Sequence, residues 1–209
     1  MASTLKIDTV TTPDGTGNIT FSRPIVADVS NVTGTLPAID GSNLTNLPGG
    51  GKILQVVATE ITATVTMTSS SYIDLTGMTV DITPTAASSK ILVSVTGSAS
   101  CSHGDNAKFK LVRLVNSASA TDVHVGDAAG SRTRAFYGWG ETTSTHSDTV
   151  STQFLDSPSY SLTDELTYKV QWTGYAVSRV NTWNRTSTDT DNANFYRGAS
   201  SIIAWEIAA

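Results

Sequence analysis

The chain has 209 residues, 39% hydrophobic and only 15% charged, with a formal net charge of −5. That is enough apolar material for one core plus an appendage. The acidic balance, without any run of Lys or Arg, gives no footprint for a phosphate backbone, so nucleic acid is not an expected partner.

No apolar run approaches the roughly 20 residues of a membrane helix. The opening MASTLKIDTV has neither the basic head nor the apolar centre of an export signal, so folding in a cytoplasm is expected. Cys101 is the single cysteine, which rules out an intrachain disulfide and leaves packing or assembly to supply stability. Thr (33) and Ser (26) dominate the polar residues, and β-branched Thr suits a pleated, half-exposed surface, so extended β structure is expected.

Residues 1–28 begin with LKIDTV, pass through the turn cluster Pro13-Asp14-Gly15-Thr16-Gly17-Asn18, and return as Ile19-Thr20-Phe21. Two short β-prone runs around a turn read as a small hairpin, marginal in water by itself and therefore expected to anchor on another surface. An amino terminus disordered before assembly is the alternative. In residues 29–51, Val32, Leu36, Ile39, Leu44 and Leu47 recur every three to five positions, while Gly34, Pro37, Gly41 and Pro48 stand between them and exclude a helix. Identical extended segments wound about a common axis would bury those side chains, each worth about 1.5 to 3 kcal/mol when fully buried. The segment thus reads as the neck of a homo-oligomeric fibre, with a flexible linker or a few coils of a β-solenoid as alternatives.

After Gly49-Gly50-Gly51 the composition changes, and residues 52–209 read as a separate head domain. Candidate strands follow at residues 53–57, 60–68, 72–75, 78–82, 91–95, 108–115, 122–125, 150–155, 166–172 and 201–207, with turn residues between them and no helical period. Their number predicts an antiparallel β-sandwich, most simply a jelly roll. The last run is apolar on both faces, as a central strand would be, so the carboxyl end should be embedded.

Four stretches together, MASTLKIDTVTTPDGTGNITF, LPAIDGSNLTNLP, GKILQVV and SSKILVSVTG (residues 88–97), resemble short fibre and appendage proteins of tailed bacteriophages, particularly those of marine and cyanobacterial hosts. The likeness covers the amino-terminal third and the first head strands. It implies a homotrimeric virion component whose amino end grips the particle, on tail or capsid, and whose carboxyl head faces outward.

Little points to catalysis. His103, His124 and His146 lie on separate segments, no Ser sits in a Gly-x-Ser-x-Gly elbow, and Asp156, Asp164 and Glu165 have no fixed separation of the kind glycan cleavage needs. Asp189-Thr190-Asp191-Asn192-Ala193-Asn194 spaces oxygen donors as in a cation loop but lacks the Gly and closing Glu of one, so no metal or cofactor is expected. Asn18, Asn31, Asn43 and Asn184 open Asn-x-Ser/Thr triplets that read as chance matches in a Thr-rich chain. The aromatic residues are more informative. Tyr137 and Trp139 in RTRAFYGWGE, Trp183 with Arg185, and Tyr196 with Arg197 stand among Gly, Asn and Arg rather than in alternating strands. Flat rings beside such donors stack on and orient sugars, so these six residues are the candidate glycan site, with core or intersubunit packing as the competing reading. The expected function is a non-enzymatic virion fibre that adheres to host-surface polysaccharide; a non-adhesive capsid or tail decoration is the alternative.

Overall fold

The computed structural model describes residues 52–102, 107–139 and 145–209. The expected hairpin of residues 1–28 and the neck of residues 29–51, with Val32, Leu36, Ile39, Leu44 and Leu47, lie outside the described residues. Within them the chain is all-β, with eleven strands and no helix. They are β1 (Ile53–Ile61), β2 (Val65–Met67), β3 (Ile73–Ile82), β4 (Lys90–Cys101), β5 (Ala107–Val115), β6 (Thr121–His124), β7 (Tyr137–Trp139), β8 (Asp148–Asp156), β9 (Leu166–Thr173), β10 (Asn181–Trp183) and β11 (Ser200–Ile207).

The strands form two antiparallel sheets in a curled sandwich. In the first, β1, β11, β4 and β8 lie side by side; beyond the end of β11, β10 takes its place along β4 and carries β2 on its other edge. In the second, β3, β9, β5 and β6 lie side by side, and β7 continues the β6 edge of β5. Alternation supplies the core between them: β4 turns Ile91, Val93 and Val95 inward, and β9 turns Leu166, Tyr168, Val170 and Trp172 inward, all fully buried. The last strand is central, between β1 and β4, as its two-faced apolar pattern required.

Three sequence expectations shift. Residues 60–68 are not one strand but the end of β1 and the short β2. Residues 72–75 and 78–82 belong to the single strand β3, interrupted in its pairing near Gly77, whose φ of 85° is costly for any residue with a Cβ. β7 and β10, three residues each, are too short to show alternation.

Polar side chains close the sandwich. On one edge, Arg113 of β5 reaches across to Asp156 of β8 (Nη1–Oδ2 2.6 Å), and the buried Tyr168 hydroxyl donates to the same carboxylate oxygen at 2.8 Å. Burial, with Asp156 beside it, pushes the Tyr168 phenol far above its usual range. Beside them His124 of β6 stacks between Phe136 and Phe154, at 5.5 and 4.9 Å between ring centroids, and its Nε2 lies 2.9 Å from Thr152 Oγ1.

The two ends of the sandwich differ. At the base are Lys52, Ala208, whose N–H donates to the Lys52 carbonyl, and the connections 83–89, 116–120 and 157–165. At the opposite, far end lie β2, β7 and β10 with the described residues of the connections that carry them.

Candidate functional site

All six expected ligand-binding residues fall at the far end, on β7, on β10 and in the loop that follows it, but they do not form one surface. Trp183 closes β10 and is fully buried. Its indole lies 5.6 Å from the Phe109 ring and its Nε1 donates to Ser200 Oγ at 2.8 Å. The ring fits because Gly97 of β4 has no side chain; a methyl group there would collide with the indole and with Ser200. Trp139, at 6% exposure, is also core. For these two the sugar-stacking expectation is corrected: neither ring has a face open to a ligand, because both are drawn into the cluster beneath the loops. Phe109 is the centre of that cluster, with Phe136, Tyr137 and Trp172 at 6.4, 6.3 and 6.2 Å. Tyr137 is half-buried, its phenol raised by burial and by the neighbouring carboxylate of Asp148.

The next residue, Asn184, read from the sequence as a chance glycosylation triplet, is the tie of the far end. It is fully buried at φ 60°, and its Nδ2 donates to Ile61 O (3.0 Å), Ala63 O (3.1 Å) and Ser200 Oγ (3.0 Å). Its backbone N–H donates to Ser98 O and its carbonyl accepts from Gly198 N–H. One side chain thereby joins the β1–β2 connection to β11 and, through its backbone, to β4.

Beyond this tie the chain emerges as the loop 185–199. Arg185 turns back on it: Nη1 donates to the Thr186 and Ser187 carbonyls, both at 2.9 Å, and Nη2 lies 3.3 Å from Thr66 Oγ1. Arg197 is largely exposed and grips Asp189 as a fork, Nε to Oδ1 at 3.3 Å and Nη2 to Oδ2 at 2.9 Å. The hydrogen bond from Arg197 chiefly holds the Asp189 carboxyl below its ordinary range, with the charge of Arg185 adding to it. Tyr196 is 45% exposed, and with Asp189, Thr190, Asp191, Asn192, Phe195 and Arg197 it lines an open depression of about 360 Å³.

This depression offers carboxylate and amide acceptors, a guanidinium donor and the ring of an exposed Tyr: the means to hydrogen-bond vicinal hydroxyls and cover a sugar face. The structure therefore brings together Arg185, Tyr196 and Arg197 of the expected set, leaves Tyr137 on a different connection, and adds Asp189, which joins the two arginines. Among the described residues no cluster of His, Cys, Asp or Glu is arranged to hold a metal, and Asp189 already has its cation in Arg197. Tyr175, 67% exposed in the β9–β10 connection, is a far-end aromatic that the sequence reading passed over; its signal was the Gly174 before it and the absence of strand alternation around it. No protein-family model matches the chain, and no curated protein matches it.

Proposed function

We propose that the chain is a non-enzymatic virion fibre of a tailed bacteriophage. It attaches to the particle through residues 1–28, trimerises through residues 29–51, and presents the far end of its sandwich to glycans on the host surface. The carrying observation is polarity. The chain enters the head at Lys52, at the base, while the exposed Tyr196, Arg197 and Tyr175 stand in connections at the opposite end. An anchored fibre needs that arrangement, because the end that leaves the particle must be the end that recognises.

Two further features support the reading. The orders β1-β11-β4-β8 and β3-β9-β5-β6 are those of an eight-stranded jelly roll, an architecture used by capsid and lectin domains, although a fold alone does not specify a ligand. The amino-terminal stretches carry the phage-fibre resemblance. An open polar depression binds one sugar weakly, with Kd on the order of millimolar, but three linked copies raise avidity by about 10²-fold or more on a multivalent surface.

The test is adsorption of purified fibre to host cells. Tyr196→Ala with Arg197→Ala removes only exposed groups, so the variant should fold and assemble as wild type while adsorption falls at least about tenfold. Unchanged adsorption in the folded assembly would favour a non-adhesive capsid or tail decoration.

A further inference from the structure

The outer face of the first sheet is apolar near the base and polar farther up. Strand β11 sends Ile202, Ala204 and Glu206 inward and Ile203, Trp205 and Ile207 outward. The register places Trp205 in a row across all four strands, Val56–Trp205–Leu92–Leu155, without a charge in it. Below, at the base, Ile53 faces Ile207, whose other neighbour is the exposed Lys90 at the start of β4. Above come Ala58, Ile203, Ser94 and Gln153, and then Glu60, Ser201, Thr96 and Ser151. Ile53, Val56 and Leu155 are 55%, 53% and 47% exposed.

The outer face of the second sheet is built differently: Lys169 and Gln171 hold Asp74, and Lys110 holds Asp122 at 2.7 Å. The second sheet thus carries ion pairs on its outer face, whereas the row through Trp205 on the first carries no charge. A contiguous apolar patch of this kind marks an interaction surface.

We infer that the lower half of the first sheet's outer face is the contact between heads, covered by the same region of the other copies of this chain. Chain length selects this occupant. Leu47 and Ile53 are only six positions apart, and six extended residues span at most about 22 Å. Necks gathered on one axis therefore hold the base of every head close to that axis. The apolar residues Ile53, Ile207 and the row through Trp205 lie next to the point where this tether ends, with Lys90 at their margin, and the rows beyond them are polar. The inference rests on the oligomeric reading of residues 29–51 and adds to it the face by which the heads meet.

Sedimentation equilibrium of the full chain tests it with two paired variants on the same face. Val56→Lys with Leu155→Lys places charges in the lower row at exposed edge-strand positions, and should weaken association by about 100-fold, since an unpaired buried charge is strongly disfavoured. Thr96→Lys with Ser151→Lys places the same charge in the upper, polar rows and should leave association unchanged. A trimeric wild type with an equally tight lower-row variant overturns the inference while the trimer reading stands; a monomeric wild type overturns both. A second measurement guards against misfolding of the lysine variant. With Cys101 buried, alkylation of Leu155→Cys should be at least about tenfold slower in the assembled protein than alkylation of Ser151→Cys, and should speed up on dilution. Equal rates, or protection that persists in a monomer, which would mean that the chain's own residues cover the face, also overturn it.

Discussion

The two ends of the sandwich are held by different chemistry. At the base the tie is a charge: Glu206, fully buried on β11, accepts from Thr85 N–H and Oγ1, Ala86 N–H, Ser89 Oγ and Gln55 Nε2, all at 2.8 to 3.0 Å. At the far end the tie is neutral, the Asn184 amide and the Trp183 indole sharing Ser200 Oγ. Burial alone would raise the Glu206 carboxyl, yet the donors from Thr85, Gln55, Ser89 and Ala86 outweigh it and bring it down to about 2. An end closed by a carboxylate is conditional on pH, whereas an end closed by an amide and a ring is not. The root of the loop that carries the proposed ligand site is thus tied by groups that do not titrate, while the loop itself carries the Asp189 carboxylate.

The largest effect expected from this contrast is at the far end. Trp183→Ala removes a fully buried ring and should cost about 3 to 5 kcal/mol in denaturant unfolding, with a cost that changes little between about pH 7 and pH 4. A cost below about 1 kcal/mol would show that the far end repacks without its indole.

At the base the effect is smaller and its pH dependence is the diagnostic. The folded Glu206 pKa lies below its ordinary 4.5, so its stabilisation is fully present above about pH 4.5 and is lost as pH falls through about 2. Glu206→Gln should cost about 2 to 3 kcal/mol near neutral pH, and the gap from wild type should close on acidification. A gap independent of pH would mean that the carboxylate charge is not what holds the connection 83–89.

The smallest effect belongs to the edge between the two ends. Burial lowers the pKa of His124 below 6.5, so the unfolded chain takes up a proton before the folded one, and stability should fall as pH drops from about 7.5 to 5.5. In His124→Phe, which keeps a ring between Phe136 and Phe154, that part of the slope in melting temperature should disappear. An unchanged slope would assign the proton uptake to another group.

Much of the head was legible in the sequence, because alternation is a local property: Tyr168-Lys169-Val170-Gln171-Trp172 already reads as a strand with one wet face, and the run ending at Ile207 already reads as a strand covered on both. The sequence by itself thus determined an all-β head and an embedded carboxyl end. It also marked the far-end loops as unusual through their rings. Only the tertiary structure decided which rings face water. Trp183 goes inside because Gly97 leaves room for it and Ser200 accepts its N–H, and neither is a sequence neighbour that a periodic pattern could register. Tyr196 stays outside, 45% exposed, on the loop that follows the buried Asn184. The same holds for Glu206, a charge in an otherwise apolar strand, whose burial is tolerable only because a connection more than a hundred residues away supplies its donors.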